Sequence, residues 1–334
     1  MAQSIAARLP FSVCDSITEM NVYYWPSKDK TELSLPEGCV ATIGVFDGVH
    51  CGHRKVLFEL VSESENLDKE SLVITFDRPI QNTVGDAENA RFITSLQHRL
   101  ALFAKLGIDN TLIINFTVEI AQLSAKDFAE DILKKKLNVS KLLLGFDGKF
   151  GKSGNGGVRT CLDAGIPAKR VSPVKIDGEI ISSTVIRHAI AEGNLVKTQK
   201  LLGRPYSIVG TVIHGDSYGT DIGFPTANLD TESELFPKEG VYAGRAIIDR
   251  KAFDAAISVG KRTTVHGMEA QNTVVEVYLI NQNFDLYGRK MEVQFFFFIR
   301  EQVNFAQVKD LKQQIARDVE KAKKLLNTEL RSDI

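Results

Sequence analysis

The chain has 334 residues, more than one hydrophobic core usually holds, so its length predicts two domains. Hydrophobic residues make up 43% and charged residues 25%, as in ordinary globular proteins. The formal net charge of −1 excludes the broad positive surface of a non-specific nucleic-acid binder, so we expect no nucleic-acid partner.

The cysteines and the apolar runs indicate in which cellular compartment the protein is expected. The four cysteines show no C-x-x-C spacing and are too few for the disulfide framework of a secreted fold. No apolar run reaches the ~20 residues of a membrane span, and residues 1–14 lack a signal-peptide pattern. We therefore expect reduced thiols, a cytoplasmic location and no membrane partner, and nothing in the sequence indicates an oligomer.

In the first half of the chain, short apolar runs alternate with stretches that have apolar residues at helical spacing. The runs predict buried strands at residues 39–45, 71–76, 111–114 and 141–144. The stretches between them predict helices at residues 52–63, 95–106 and 124–137. This alternation predicts βαβ units and a parallel, doubly wound α/β sheet.

The pattern changes after about Leu202. Consecutive strands are predicted, with almost no helix between them, at residues 206–214, 241–248, 253–259, 273–280 and 290–299. Such a run predicts a mostly antiparallel β-barrel or sandwich, and helical spacing over residues 305–326 predicts a final helix that covers it. The turn residues Gly203-Arg204-Pro205 mark the boundary, which gives domains 1–202 and 203–334.

A glycine-rich segment with two histidines lies where the first predicted strand meets the first predicted helix. A helix N-terminus at the carboxyl end of a parallel strand suits a phosphate, and glycines let the backbone approach it. His50 and His53 could donate two hydrogen bonds to a triphosphate as its α–β bond breaks, which makes them candidate catalytic residues. The candidate nucleotide-binding residues here are Gly44, Phe46, Asp47, Gly48 and Gly52.

Two alternatives compete for this segment. The histidines could hold zinc, but no third ligand lies nearby in the sequence. The segment could also be a hydrogen-bonded turn without a catalytic role.

Two later segments also suggest phosphate binding. Residues 145–157 are glycine-rich, but Gly145 is one residue too far from Gly151-Lys152-Ser153 for a P-loop. Ser183 and Thr184 either cap a helix or bind a nucleotide, and the guanidinium of Arg187 could take two phosphate oxygens.

In the second half, the segment Gly223-Phe224-Pro225-Thr226-Ala227-Asn228 is the most specific motif. The hydroxyl of Thr226 and the amide oxygen of Asn228 are hard ligands that suit Mg²⁺ bound with a nucleotide. The candidate nucleotide-binding residues are Gly210, Gly215, Gly223 and Phe224. Glu276 is an acidic residue on an apolar strand, either an outward-facing solvated side chain or a catalytic one.

These motifs, in this order, resemble the bifunctional riboflavin kinase/FAD synthetase family of prokaryotic type. The G-x-F-D-G-x-H-x-G-H of residues 44–53 resembles its nucleotidyltransferase signature, and residues 74–79 resemble its second motif without the usual His. Residues 145–151 resemble G-x-D-F-R-F-G, with Gly148 and Lys149 in place of Phe and Arg, and this resemblance makes Asp147 a candidate nucleotide-binding residue. The remaining matches are I-S-S-T-x-I-R at 181–187, G-x-P-T-A-N at 223–228, and an E-V-H-L strand at 276–279 followed by D-L-Y-G at 285–288.

The resemblance implies a Rossmann-like nucleotidyltransferase domain followed by a riboflavin kinase barrel with a C-terminal helix. It implies that the barrel phosphorylates riboflavin to FMN with Mg²⁺ and ATP, and that the first domain adenylylates FMN to FAD with release of pyrophosphate. Within it, Arg187 would contact nucleotide phosphates, Thr226 and Asn228 would hold Mg²⁺ with ATP, and Glu276 would be the general base.

The barrel half departs from the family pattern in three places. The usual Arg before I-G-F-P-T is absent near Thr220, the usual Pro is Thr263, and the His of the E-V-H-L strand is Tyr278. These departures leave open a chain that is an FAD synthetase only, with a weakly active or inactive flavin-binding barrel. An adenylyltransferase for another substrate and a flavin-storing protein are the remaining alternatives.

Overall fold

The computed structural model describes residues 20–25, 38–77, 91–214, 223–261, 273–282, 284–305 and 307–329. The described residues fall into two compact units. Unit 1 holds those of Met1–Phe92 and Leu96–Ser182, and unit 2 holds those of Ile93–Ser95 and Ser183–Ile334.

Six of the described strands in unit 1 form one parallel sheet in the order β1-β4-β3-β2-β5-β6. These strands are β1 (Asn21–Trp25), β2 (Cys39–Ile43), β3 (Glu70–Phe76), β4 (Asn110–Ile114), β5 (Val139–Leu144) and β6 (Ala168–Arg170). A separate two-stranded sheet pairs β7 (Lys175–Ile176) with β8 (Glu179–Ile180).

Helices connect the parallel strands. They are α1 (Cys51–Asn66), α2 (Leu96–Lys105), α3 (Val118–Gln122), α4 (Ala125–Asp127, continuing as a π-helix over Phe128–Lys136) and α5 (Val158–Asp163). Separate hydrophobic cores form on the two faces of the sheet: Ile74 and Leu112 lie in one, and Val73 and Leu57 in the other. Burial on both faces is typical of a parallel sheet, so the predicted α/β class is confirmed.

In unit 2, a closed barrel of antiparallel strands has the order β10-β13-β12-β11-β14-β9. Its strands are β9 (Tyr206–Ile213), β10 (Ala227–Thr231), β11 (Gly240–Ile248), β12 (Lys251–Lys261), β13 (Thr273–Leu279) and β14 (Lys290–Arg300). Unit 2 also contains α6 (Ser183–Ala191), α7 (Leu195–Leu202) and α8 (Val308–Glu329). The predicted barrel and final helix are confirmed.

Helix α8 covers part of the outer wall of the barrel. Val319 and Ala322 of α8 share a buried cluster with Ala243 and Ala256, which lie on β11 and β12. The Nε and Nη2 atoms of Arg300 donate to the Asp318 carboxylate at 2.9 and 2.7 Å from Oδ2, which ties α8 to the end of β14.

The compact units divide after Ser182, twenty residues before the boundary predicted from turn residues. Helix α7 causes the difference, because it packs against β9 and β14 of the barrel. The assignment of residues 1–202 and 203–334 to two catalytic domains stays a prediction. Among the described residues, no helix is long and apolar enough to cross a membrane.

Candidate functional site

The segment after β2 has a strained backbone. Phe46 and Val49 have φ angles of 52° and 41°, and Gly48 lies between them at 79°. A positive φ is costly for a β-branched residue such as Val49, and strain of this kind is typical of ligand-binding loops. The backbone N–H of Val49 donates to the Phe46 carbonyl at 3.0 Å, which closes this loop as a tight turn directly before α1.

His50 caps the N-terminus of α1 and stacks on His53. The Nδ1 atom of His50 accepts a hydrogen bond from the backbone N–H of His53 at 3.2 Å. The two rings are 3.6 Å apart and nearly parallel. A side chain at Gly52 would lie 3.1 Å from the His50 ring, so glycine there keeps the histidines together. The structure therefore places both histidines together at the N-terminus of α1, as the sequence predicts.

His53 is held in its neutral form. Burial, together with the neighbouring His50 and Arg99, keeps the pKa of His53 well below its usual 6.5. The edge of the Phe46 ring packs on it, with ring centroids 5.3 Å apart. Its Nδ1 atom is buried without a hydrogen-bond partner in the part of the chain that the structure describes. A neutral ring can still donate one hydrogen bond to a phosphate oxygen.

Arg99, on α2, is a buried charged residue beside the histidines that the sequence reasoning missed. It is fully buried, and its Nη1 atom donates to the Val45 carbonyl at 2.6 Å. Its Nη2 atom donates to the Phe76 carbonyl at 3.1 Å, so one guanidinium joins the ends of β2 and β3. A signal was present: Arg99 is three residues after Leu96 and four before Phe103, which places a charge on the apolar face of the helix.

A second loop follows β5, the neighbour of β2 in the sheet. Gly148 is packed too closely for a side chain, since a Cβ there would lie 3.0 Å from the backbone nitrogen of Gly145. Asp147 is exposed and has no hydrogen-bond or ion-pair partner among the described residues, so it can reach a ligand.

Arg170, at the end of β6, holds this second loop. Its Nη1 atom donates to the carbonyls of Gly145 at 2.8 Å, Phe146 at 2.7 Å and Gly148 at 3.3 Å. No sequence motif singles out this residue, because its position beside the loop depends on the pairing of β6 with β5.

Ser183, Thr184 and Arg187 lie on α6, which begins at Ser183, so the first two occupy its first turn. All three belong to unit 2, whereas His50 and His53 belong to unit 1. Their part in an adenylyl-transfer site therefore stays a prediction.

The barrel brings Asn228 and Glu276 together. They are directly opposite each other in the antiparallel pair β10–β13, and Ser258 of β12 is opposite Glu276 on the other side. Directly opposite residues point to the same side of a sheet with Cβ atoms about 5 Å apart. The three side chains thus form one polar row, which Gln302 extends by donating to the Ser258 hydroxyl at 2.8 Å.

This row lies on the outer wall of the barrel. Glu276 stands between Val275 and Val277, which are buried, and is itself half-buried. The predicted alternative of an outward-facing Glu276 is right about direction, but the side chain is not fully solvated. Thr226, also half-buried, directly precedes β10, and Phe224 packs edge-on against Tyr278 with centroids 5.4 Å apart.

The glycines of the barrel motif differ in their surroundings. A Cβ at Gly210 would lie 2.3 Å from the Asp230 carbonyl oxygen, so strand packing alone requires glycine there. Gly223 is exposed with φ of 87°, a conformation that favours glycine. Gly215, Thr220 and Thr263 lie outside the described residues. No cluster of three or more His, Cys, Asp or Glu that could hold a metal is found in the described ranges, so the zinc alternative gains no support.

The two units define a class: a parallel α/β unit with two stacked histidines at a helix N-terminus, followed by an antiparallel barrel with a polar row on its wall. A family model for FAD synthetase matches residues 32–185, and one for riboflavin kinase matches residues 202–326. The chain belongs to the family of bifunctional riboflavin kinases/FMN adenylyltransferases.

Individual relatives agree with this membership. The bifunctional riboflavin kinase/FMN adenylyltransferase of Escherichia coli K12 is 38% identical over 288 residues, covering 84% of this chain and 91% of that relative. That of Haemophilus influenzae is 35% identical over 298 residues, covering 87% and 96%. A crystal structure from Streptococcus pneumoniae, described as a macrolide-efflux protein, is 28% identical, covers 90% of this chain and 98% of its own, and has a TM-score of 0.79.

Proposed function

We propose that this protein makes FAD from riboflavin in two ATP-dependent steps, each carried out by one half of the chain. It phosphorylates riboflavin to FMN and adenylylates FMN to FAD, releasing pyrophosphate. The observation that carries this function is that both family models match, one after the other, over residues 32–185 and 202–326. The match to the kinase model and the bifunctional relatives disfavour an FAD synthetase with an inactive barrel.

In the adenylyl transfer, a phosphate oxygen of FMN attacks the α-phosphorus of ATP, and the bond from that phosphorus to the α–β bridging oxygen breaks. Negative charge grows on the pyrophosphate that leaves. We assign its stabilisation to the N-terminus of α1, to His50 and to the neutral His53, because the two stacked histidines lie at a helix N-terminus, whose dipole favours an anion. Arg187 is assigned to the nucleotide phosphates by family resemblance.

In the kinase step, the 5′-hydroxyl oxygen of riboflavin attacks the γ-phosphorus, and ADP leaves. Glu276 accepts the hydroxyl proton. Thr226 and Asn228 are assigned to Mg²⁺, since the row that places an amide beside a carboxylate offers the hard oxygen ligands that this ion prefers. Bound Mg²⁺ would neutralise charge on the ATP phosphates.

The location of the protein remains a proposal. Cys39, Cys51 and Cys161 are free thiols, which is compatible with a reducing cytoplasm.

The direct test is a time course with riboflavin, ATP and Mg²⁺, in which FMN and FAD are separated by chromatography. FMN should form first and FAD should follow. A protein that makes FAD only when FMN is supplied would instead support the inactive-barrel alternative. Omitting Mg²⁺ and adding a chelator should stop both products.

A further inference from the structure

Arg170 is fixed in place but only partly used by the protein. Its three carbonyl contacts all come from Nη1, and they hold the guanidinium against the turn at residues 145–148. Within the described ranges, Nε and Nη2 have no hydrogen-bond partner, and no carboxylate lies at ion-pair distance. The side chain is exposed.

The unused nitrogens share one edge of the planar guanidinium. The N–H groups of Nε and Nη2 point the same way, and this edge matches two oxygens of a carboxylate or a phosphate. Arg300 uses its nitrogens in the same way. Its Nη1 donates to the Glu301 carbonyl at 2.8 Å, while Nε and Nη2 both donate to the Asp318 carboxylate. Arg170 presents the equivalent edge to an anion that the described residues do not supply.

The neighbours of Arg170 place it near the start of α1. Gly157 lies beside Nη2, and a Cβ on it would be 3.6 Å from that nitrogen. A Cβ on Gly145 would lie 3.9 Å from Cγ2 of Val56, which is one helical turn after His53 on α1. Arg170 therefore lies at the same edge of the parallel sheet as the stacked histidines.

We propose that Arg170 binds a phosphate group of a substrate of the adenylyl transfer through its Nε–Nη2 edge. The proposal rests on the placement of that reaction at the carboxyl edge of the unit 1 sheet. The phosphate belongs either to ATP, in the part released as pyrophosphate, or to FMN.

The experiment uses the full chain and compares wild type with Arg170→Gln and Arg170→Lys. Lysine keeps the charge but lacks the two-nitrogen edge. Arg159→Gln is the matched control, because Arg159 is an exposed arginine of the same unit with a surface partner in Asp163. KM for ATP, KM for FMN, inhibition by inorganic pyrophosphate, melting temperature and riboflavin phosphorylation are measured on each preparation.

A phosphate contact predicts a rise of ~10- to 100-fold in KM for one phosphate-bearing substrate in both Arg170 variants, with riboflavin phosphorylation unchanged. If the phosphate is that of ATP, KM for ATP rises and inhibition by pyrophosphate becomes weaker. If it is that of FMN, only KM for FMN rises.

A second variant separates binding from support of the turn. Gly157→Val should crowd Nη2 without touching the three carbonyl contacts, and we expect it to raise the same KM. KM values and pyrophosphate inhibition within twofold of wild type in all variants would overturn the proposal. So would a lower melting temperature with an equal loss toward both substrates, since that marks a purely structural role.

His53→Ala is assayed in parallel. If it keeps full FAD synthesis, the adenylyl site itself has been misplaced, and this result is distinct from a failure of Arg170 alone.

Discussion

The candidate sites of the two units are built from different parts of the fold. In unit 1 the residues come from loops that leave neighbouring parallel strands, and His50 and His53 are close in sequence as well as in space. In unit 2 they come from the strands themselves, and Asn228 and Glu276 meet only through register. A site on one loop can therefore be recognised in the sequence as one motif. A site on barrel strands can be recognised only when the pairing of strands that are distant in sequence is known.

The largest expected effect tests the barrel side of this comparison. Glu276→Gln keeps the shape of the side chain but cannot accept a proton, so we expect riboflavin phosphorylation to fall ~10²- to 10⁴-fold. FAD formation from supplied FMN should be unchanged, as a chromatographic assay of both products will show. Glu320→Gln, at an exposed carboxylate of α8, is the control. Normal phosphorylation by Glu276→Gln would make Glu276 an ordinary strand residue.

The next effect tests the loop side. His53→Ala removes a preorganised donor at the N-terminus of α1, and we expect the rate of FAD formation from FMN to drop ~10²- to 10³-fold. The rate of FMN formation from riboflavin should stay at the wild-type value. FAD synthesis near the wild-type rate would contradict the assignment of the phosphate site to this helix end.

A stability effect should be confined to one unit. Arg99→Met removes a buried donor from the Phe76 carbonyl and one of two side-chain donors from the Val45 carbonyl, which keeps the Thr75 hydroxyl at 3.1 Å. A buried carbonyl that loses its partner costs about 1–3 kcal/mol. We expect unit 1 to unfold at lower urea concentration while riboflavin phosphorylation persists. Arg159→Met, at an exposed arginine, should leave the transition in place. An equal loss of both activities at one urea concentration would argue against independent units.

The smallest effect is a dependence of stability on pH. Because the pKa of His53 is lowered in the folded chain, the unfolded chain takes up more protons below pH 6.5. The free energy of unfolding should therefore fall as pH drops below 6.5, by at most about 1.4 kcal/mol per pH unit. His53→Asn should flatten this slope in urea titrations at several pH values. An unchanged slope would assign the effect to other groups.

The sequence predicted the core of each unit better than its edges. The central strands β2 to β5 were predicted because their apolar runs are continuous, whereas the edge strands β1 and β6 are short and mixed and were missed. The predicted helix at 124–137 is confirmed in place, but most of it is a π-helix, which helical spacing cannot distinguish. Strand β10 was missed because its A-N-L-D-T sequence is half polar, and that polarity belongs to the candidate kinase site.

The same division holds for the sites. The contiguous motif with His50 and His53 could be predicted, as could the separate residues Asn228 and Glu276. Arg170 could not be predicted, because it donates to the carbonyls of three residues that are more than twenty positions away in the sequence. The burial of Arg99 could have been predicted, because a charged residue on the apolar face of a helix must have buried hydrogen-bond partners.

The central claim is that two separate chemistries act in sequence within one chain, each at its own site. Mixing the two single variants tests it most directly. With riboflavin, ATP and Mg²⁺, Glu276→Gln alone and His53→Ala alone should each fail to make FAD. Their mixture should make it, because FMN released by the His53→Ala protein is adenylylated by the Glu276→Gln protein. A mixture that makes no FAD, although each variant keeps its remaining single activity, would contradict two separate sites linked by free FMN.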